Sequence, residues 1–397
     1  MVRLMYRKTY AKINGDHLKE NVMEIKKKYS GYEYYFGVVK NNAYHHGIKV
    51  IQDLIAGGVN YLAVSSLEEA IDARKYHQDI PILCLEPIHA EYVHDCINSN
   101  ITLTIDSYDY ARKLSEVEIA FSIKVHLKID SGMNRIGIQS KNELNKIMEL
   151  FKGNKRIVIE GIYSHFGTSG VADKNWDNQV DKFLEITKDV DLSSIPIVHL
   201  GRSLTLVNHK KIEFCNGIRL GIIMFGHAQS VKQDRSLKGK LKQFKINYLK
   251  KKLNISETIL ENDLKLKTSF SLYSEVIHIH KVKVDDVIGY NANYKVSENG
   301  YVAVLPIGYA DGVTKQFGKV WIGNKAYPIV ADSMDMLMIL VDKSVKLGDK
   351  AEIFGQNISI KEVCKNVGIS AYHLYNQIQN RVPRIHVTEH MKEEIKY

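Results

Sequence analysis

An apolar run ends in a lysine and turns polar at once in the stretch YYFGVVKNNAYHHG, residues 34–47. Lys40 stands at the end of the run, and Tyr44 follows four residues later. A lysine amine can form an imine with a carbonyl compound, and a tyrosine hydroxyl can move a proton or bind a phosphate. The stretch therefore predicts a reactive lysine at the end of a buried strand.

Polar residues also lie on or just after later apolar runs, and they could belong to the same site. They are Arg135 in KIDSGMNRIG, His165 in EGIYSHFG, Ser203 in HLGRS, and Arg219 with Gly221 in GIRLGI. Each has a structural explanation when taken singly, such as a helix N-cap for Ser203 or a hydrogen-bonded core histidine for His165. If the runs are parallel barrel strands, however, their C-terminal ends meet at one mouth, where active sites lie.

The group types at this mouth indicate what it binds. A serine hydroxyl and glycine-flanked backbone amides suit a phosphate, and an imine-forming lysine beside a phosphate cradle suits pyridoxal phosphate. Spacing alone leaves the ligand open, because phosphosugar-binding barrels use similar cradles.

Eight short apolar runs alternate with amphipathic stretches between residues 34 and 226. The runs are YYFGVVK, YLAVSS, IPILCLE, ITLTID, KVHLKID, IVIEGIYSHF, IPIVHLG and GIRLGIIMFG. Nearly continuous apolar runs are typical of parallel strands covered on both faces. The pattern predicts an α/β fold with an N-terminal (β/α)8 TIM-like barrel. An open doubly wound sheet is the alternative, but no GxGxxG follows the first strand.

The pattern changes after residue 263. Runs such as FSLYSEVIHIHKVK and MLMILVD alternate in polarity and are separated by turns such as SENG and IGNK, which predicts a C-terminal mainly-β domain. We expect a barrel at 1–230, a basic insertion or linker at 231–262 and a β domain at 263–397. Residues 1–13 are candidates for pairing with the β domain.

The composition is ordinary for a globular protein, with 45% hydrophobic and 25% charged residues. No apolar run is long enough to span a membrane, and the N-terminus lacks the apolar core of a signal peptide. The four cysteines are scattered without CxxC spacing, which is typical of a reducing compartment and gives no sign of a metal site. We expect a cytoplasmic protein without membrane association or metal.

The formal net charge of +10 permits an anionic small molecule or nucleic acid as a partner. Part of this excess is local, in the basic run at 231–252. The simplest interpretation of that run is a solvated linker or surface helix. We therefore expect a small-molecule ligand and do not expect nucleic acid.

The motifs resemble those of the alanine racemase family in order and spacing, over nearly the whole chain. VVKNNAYHHG resembles the family's pyridoxal-phosphate signature, commonly AVVKANAYGHG. DSGMNRIG, EGIYSHF and IRLGIIMFG are similar to its barrel motifs, and GYNANY, LPIGYADG, SMDM and RVPRI to its second-domain motifs. The resemblance implies a barrel followed by a β domain, pyridoxal phosphate as cofactor, and a homodimer with shared active sites.

The resemblance also implies a role for each matched residue. Lys40 would bind the cofactor and act as one base, and Tyr290 of the partner subunit would be the base on the opposite face. The cofactor would be held by Lys40, Tyr44, His165, Ser203, Arg219 and the backbone of Gly221 and Ile222. The amino-acid substrate would be bound by Arg135, Tyr309, Met334 and Asp335. Lys128 matches a lysine that is often carbamylated and braces the arginine at position 135.

The sequence departs from the family pattern at three positions. Asn380 stands where the family commonly has tyrosine near the cofactor phosphate, Ser333 where it often has cysteine, and Arg202 where it has asparagine. The implied activity is interconversion of L- and D-alanine by two bases, which supplies D-alanine for peptidoglycan. The difference at position 380 leaves a serine or broad-specificity racemase as an alternative.

Two more distant alternatives come from other functional classes. A barrel-type pyridoxal-phosphate decarboxylase would be expected to have an acidic residue at the pyridine nitrogen, where the resemblance puts Arg219. A non-catalytic pyridoxal-phosphate-binding protein would need neither Tyr290 nor a second domain.

Overall fold

The computed structural model describes residues 6–169, 171, 173–228 and 263–389. It also describes a few positions in between, namely 241, 244–245, 247–248, 251–252 and 258–259. Most of the basic segment 231–262 therefore lies outside the described residues. The chain forms two compact units. The barrel unit contains the described residues of Lys19–Asn41 and Ile51–Leu266, and the β unit contains those of Met1–Leu18, Asn42–Val50 and Lys267–Tyr397.

The described strands belong to both units and are numbered in chain order. They are β1 Tyr10–Asn14, β2 Tyr34–Val38, β3 Tyr61–Val64, β4 Ile82–Cys84, β5 Ile101–Ile105, β6 Ile123–Lys128, β7 Ile157–Tyr163, β8 Ile197–His199, β9 Gly217–Leu220, β10 Phe270–Glu275, β11 His278–Val282, β12 Val287–Ile288, β13 Tyr294–Lys295, β14 Gly300–Leu305, β15 Lys319–Ile322, β16 Lys325–Asp332, β17 Leu337–Val341, β18 Lys350–Phe354 and β19 Arg384–Val387.

Most of the described helices alternate with the strands of the barrel unit, and the last two lie in the β unit. They are α1 Gly15–Lys28, α2 Lys40–Tyr44, α3 Ile51–Gly57, α4 Leu67–Tyr76, α5 Val93–Asn98, α6 Tyr108–Glu116, α7 Lys141–Lys152, α8 Asn175–Thr187, α9 Ser203–Asn208, α10 Ile360–Val367 and α11 Ala371–Gln377. None of them combines the length and the apolar character that a membrane span requires.

Eight parallel strands form the sheet of the barrel unit, in the order β8-β7-β6-β5-β4-β3-β2-β9. The two end strands approach each other, because the amide of Asn216 donates to Val198 O at 3.1 Å and the amide of Arg219 donates to Gly201 O at 3.3 Å. The sheet is thus a nearly closed barrel. The predicted (β/α)8 fold is confirmed, and each of the eight apolar runs overlaps one of these strands.

Serine caps fix where several barrel helices begin. The hydroxyl of Ser66 accepts a hydrogen bond from the amide of Glu69 at the start of α4, and the hydroxyl of Ser140 accepts one from Glu143 at the start of α7. In both cases an acidic residue lies three positions after the serine, which is the sequence pattern of a helix N-terminus. The loop between β3 and α4 is short, whereas residues 129–140, which include Arg135, separate β6 from α7.

The β unit is built on a nine-stranded sheet in the order β11-β14-β17-β16-β15-β18-β10-β1-β19. The N-terminal strand β1 lies inside this sheet, antiparallel to β10 and parallel to β19. The short strands β12 and β13 form a separate antiparallel pair. The mainly-β character predicted for the C-terminal region is confirmed. The domain boundaries drawn from the sequence stay a prediction, and in the structure residues 42–50 group with the β unit.

Two glycines of the β unit allow a matched test of backbone constraint. Gly312 has φ +86°, and a Cβ atom there would overlap the carbonyl oxygen of Gln377. Gly323 has φ +61° but has nothing within 4 Å of its Cβ position. We expect Gly312→Ala to lower the free energy of unfolding by about 3 kcal/mol or more, and Gly323→Ala by about 1 kcal/mol. Urea unfolding measures both, and equal losses would contradict the overlap at Gly312.

Candidate active site

Lys40 begins directly after β2, and the loop around it is fixed by one glutamate. The carboxylate of Glu69 accepts from the amide of Asn41 at 2.6 Å and from the amide of Ser65 at 2.8 Å. It therefore joins the loops that follow β2 and β3. The side chain of Lys40 is half-buried and makes no hydrogen bond or ion pair within the described residues. Glu69 was not predicted from the sequence, although its place in a capping pattern was visible.

The residues after Lys40, most of which belong to the short helix α2, form a turn that is wound in the left-handed sense. Asn41 to Tyr44 all have φ +52°, and His45 has φ +61°. Each non-glycine residue in this region costs about 1–2 kcal/mol, although asparagine and histidine tolerate it better than most. Such strain persists where surrounding contacts impose it, often at functional sites. The turn ends with Tyr44 buried in the β unit, its ring centroid 5.8 Å from that of Tyr372.

Arg219 is buried in the barrel unit, with 3% of its surface exposed. Its guanidinium donates to the carbonyl oxygens of Ser164 at 2.5 Å, His199 at 2.6 Å and Leu200 at 2.9 Å. It also donates to Nδ1 of His199 at 2.6 Å. None of its partners among the described residues is a carboxylate. Burial lowers the pKa of Arg219 to about 10, so the group stays charged at neutral pH.

Lys128 and His165 lie close to this charge and respond to it. Burial, followed by the charges of Arg219 and Arg135, lowers the pKa of Lys128 to about 7. Burial and then Arg219 lower the pKa of His165 well below its ordinary value. His165 Nδ1 is 3.5 Å from the guanidinium of Arg219. At neutral pH these three groups are thus a charged guanidinium at Arg219, a neutral imidazole at His165 and an amine at Lys128 that is about half neutral.

The loop that carries Arg135 is folded around Asp130. The carboxylate of Asp130 accepts from the amides of Gly132 and Asn134, both at 3.0 Å. Gly137 has φ +129°, and a Cβ there would be 2.7 Å from the amide nitrogen of Asp130. These contacts give Asp130 and Gly137 of the DSGMNRIG motif a structural role. They leave the Arg135 side chain exposed at the loop tip.

Ser203 and Gly221 contact each other at the ends of the last two barrel strands. The buried Ser203 hydroxyl accepts from the amide of Gly221 at 2.8 Å, and its own hydrogen can be donated to another acceptor. Ile222 is buried beside them. Arg202, one of the departures from the family pattern, donates from Nε to the carbonyl oxygen of Phe166 at 3.0 Å, so it holds the loop after β7.

The remaining predicted residues belong to the β unit and lie at its surface. Tyr290 is 72% exposed on the turn between β12 and β13, and Met334 and Tyr309 are 54% and 50% exposed. The loops of Tyr309 and Met334 are joined, because the amide of Tyr309 donates to the carbonyl oxygen of Ser333 at 3.1 Å. Asp335 accepts from the guanidinium of Arg381 at 2.7 Å.

Asn380 is also exposed. A buried residue that was not predicted, Asp311, accepts from the amide of Gly308 at 2.9 Å and from the Arg7 guanidinium at 2.6 Å. Asp311 therefore anchors the turn that starts at Tyr309.

Comparisons with known proteins find matches for both parts of the chain. The family description "Alanine racemase, N-terminal domain" matches residues 13–229, and "Alanine racemase, C-terminal domain" matches residues 269–386. The chain is similar to an alanine racemase from Streptococcus equi subsp. equi, with 30% identity over 97% of this chain and 100% of the relative. An alanine racemase from Clostridium tetani is 31% identical over 96% of each chain. A solved alanine racemase structure from Clostridium difficile 630 superimposes with a TM-score of 0.83, at 30% identity over 97% of both chains.

The low pKa of Lys128 leads to a test with carbon dioxide. A carbamate forms from a neutral amine, and a pKa of about 7 leaves roughly half of Lys128 neutral at pH 7, against less than about 0.1% for an ordinary lysine. The carbamate anion could then pair with the cations nearby. With ¹³C-bicarbonate we expect a protein-bound carbamate signal in ¹³C NMR that Lys128→Ala removes. Lys152→Ala, at an exposed position, should leave it. A signal that survives in Lys128→Ala would contradict the assignment.

Proposed function

The chain belongs to the alanine racemase family, and from this premise we propose that it interconverts L- and D-alanine with pyridoxal phosphate as its cofactor. The observation that carries the proposal is the set of hydrogen-bond donors at the ends of the last two barrel strands, of which β9 pairs with β2, the strand that Lys40 follows. Arg219 is buried without a carboxylate partner among the described residues, and Ser203 has a hydroxyl hydrogen to donate. Such a set suits an anionic ligand.

We propose that Lys40 binds the cofactor, that Ser203 and the backbone of Gly221 and Ile222 hold its phosphate, and that Arg219 faces its ring nitrogen. By its place in the family motif, Tyr44 is also proposed as a phosphate ligand. When bound, pyridoxal phosphate accepts the electrons released when the Cα–H bond of the substrate breaks. An arginine does not readily give up its proton. Arg219 would therefore leave the ring nitrogen unprotonated and restrain transamination.

Racemisation needs a proton to leave one face of Cα and another to arrive on the opposite face. We propose Lys40 as the base on one face and Tyr290 of the partner subunit as the base on the other. The high exposure of Tyr290, whose hydroxyl makes no hydrogen bond within the described residues, supports a role outside its own chain. The active protein would then be a homodimer with shared sites.

The substrate would be bound by one group of residues at its carboxylate and by another group around its side chain. We propose that Arg135 binds the substrate carboxylate, with Lys128 as a carbamate bracing that arginine. The pocket for the substrate side chain would be lined by Met334, Tyr309 and Asp335. The free cysteines, of which Cys84, Cys96 and Cys215 are buried, support a reducing cytoplasmic location. There the product would supply D-alanine for peptidoglycan.

Serine is a second candidate substrate because of position 380. Asn380 is exposed, and an asparagine there offers an amide that can donate and accept where the family commonly has a tyrosine. The hydroxyl of Ser333, by contrast, is engaged by Met336, donating to its carbonyl oxygen and accepting from its amide, each at 3.2 Å. The difference at position 380 is therefore a stronger argument for a wider range of substrates than the difference at position 333.

The activity is tested by incubating single L-amino acids with the protein and pyridoxal phosphate and measuring the D-isomer by chiral separation. We expect rapid conversion of alanine and slower, measurable conversion of serine. Asn380→Tyr should raise the ratio of alanine to serine kcat/KM by about 2- to 13-fold, the worth of one hydrogen bond. No D-alanine from protein with bound cofactor would contradict the proposed function.

The position of the cofactor is tested separately. Borohydride should fix pyridoxal phosphate on Lys40, because an imine is reduced to a stable amine, and peptide mass spectrometry should locate the adduct. Lys49, a nearby lysine outside the proposed site, serves as the control, since Lys49→Ala should leave the adduct in place. An adduct on another residue would contradict the assignment.

The shared site predicts complementation between inactive variants. Lys40→Ala and Tyr290→Phe should each lose most racemisation, because each removes one of the two bases. After the two proteins are mixed and exchange subunits, one of the two sites in each mixed dimer has both bases. Activity should return to at most about one quarter of wild type if exchange is statistical, since half of the dimers are mixed. No recovery after demonstrated exchange would contradict a site built by two subunits.

A further inference from the structure

A line of hydrogen bonds joins Arg219 to Glu160 through two buried histidines. The guanidinium of Arg219 is 2.6 Å from Nδ1 of His199, and Nε2 of His199 is 2.9 Å from Nδ1 of His126. Nε2 of His126 is 3.3 Å from the carboxylate of Glu160. Both histidines are fully buried. The line therefore connects the proposed site with a carboxylate that Arg219 does not touch.

The direction of every bond in this line is set by its first member. A guanidinium only donates, so Nδ1 of His199 accepts and the proton of a neutral His199 is on Nε2. That proton is donated to Nδ1 of His126, and the proton of His126 is then on Nε2 and is donated to Glu160. Burial lowers the pKa of His126 and lowers that of His199 well below its ordinary value. Both imidazoles are thus neutral, and their protons point towards Glu160.

Glu160 is held as an anion at the far end of the line. Although burial opposes it, hydrogen bonds from His126, Lys124 and Tyr61 lower the pKa of Glu160 to about 2. Lys124 Nζ is 2.5 Å and the Tyr61 hydroxyl 2.7 Å from the carboxylate. The Tyr61 hydroxyl can accept in turn from Thr102 at 2.8 Å. Each of these donors stabilises the negative charge.

The imidazoles are clamped, so the line has one geometry. The ring of His199 is stacked between Phe36, at 4.4 Å and 16°, and Tyr163, at 4.7 Å and 6°. Gly161 faces His126, and a Cβ at that position would be only 2.5 Å from Cε1 of the imidazole. Neither ring can turn over without displacing these neighbours.

We propose that Glu160 is the counter-ion of Arg219, acting through His199 and His126, and that the three are positioning residues for the guanidinium. A buried cation is costly unless it is compensated. An imidazole that donates to a carboxylate is a stronger acceptor at its other nitrogen, because bonds in a line polarise one another. Glu160 thereby holds Arg219 charged and fixed. The catalytic consequence rests on the proposed function, but the bond directions do not.

Neutron diffraction from crystals of the full chain tests the bond directions. After exchange into D₂O at neutral pH, we expect deuterons on Nε2 of His199 and of His126 and none on Nδ1 of either ring. A deuteron on Nδ1 of His199 or His126 would overturn the inference. The deuteron positions are independent of the reaction, so they test the line even if the protein does not racemise alanine.

Glu160→Gln tests the role of the charge. The glutamine amide oxygen can accept the same bond from His126 but is neutral. We expect the ratio of transamination to racemisation, measured as pyridoxamine phosphate formed per turnover, to rise about tenfold, which is about 1.4 kcal/mol in relative barriers.

Lys124→Gln is the control, because it keeps the carboxylate and its bond to His126, and the ratio should stay within about twofold. An unchanged ratio in Glu160→Gln, with cofactor bound and racemisation retained, would overturn the proposed role. If that variant does not fold, the deuteron positions in the wild-type protein decide. A wild-type protein that does not racemise alanine contradicts the proposed function instead.

Discussion

The charge of Arg219, buried in the barrel without a carboxylate in contact among the described residues, is the constraint on which the rest of the site depends. Its direct partners are three carbonyl oxygens and two imidazole nitrogens. Because this positive charge is retained, basic groups nearby are harder to protonate. It contributes to the lowered pKa of both Lys128 and His165. Burial and this one guanidinium thus together disfavour protonation of Lys128 and His165, and the charge of the guanidinium makes the site receptive to anions.

The second constraint is the strained turn after Lys40. The family signature AVVKANAYGHG has glycine where this chain has His45, and glycine adopts positive φ without cost. In this chain His45 has φ +61°, and hydrogen bonds to residues far away in the sequence compensate for the strain. Its Nδ1 is 2.9 Å from the carbonyl oxygen of Ile378, and its own carbonyl accepts from the Arg384 guanidinium at 2.9 Å. The turn is therefore held by contacts at its end, as it is held at its start by Glu69.

The sequence predicted the parts of this structure that depend on local pattern. The apolar runs indicated each barrel strand, because a strand covered on both faces must be apolar. Lys40 and Ser203 stand at or just after the ends of their runs, and Arg219 lies on β9 itself. The sequence did not reveal the left-handed turn, since alanine and tyrosine, unlike the two asparagines before them, rarely adopt positive φ. It also missed the pairing of His126 with His199. Whether a strand residue points into the barrel depends on strand register, which single-strand patterns do not show.

Glycine positions on the strands explain how such a line fits inside a packed barrel. The motif EGIYSHF contains Gly161, and its missing side chain leaves the space that the His126 ring occupies. Gly217 does the same on β9, where a Cβ would be 3.0 Å from Cβ of His199 and 3.2 Å from the ring of Phe36. A close-packed interior has no spare volume for an imidazole unless a neighbouring strand gives up a side chain. These glycines and histidines are thus one packing solution, and the glycine of the motif is required by a residue on another strand. A methyl group at position 161 would therefore act on Arg219, which it does not touch, by displacing His126.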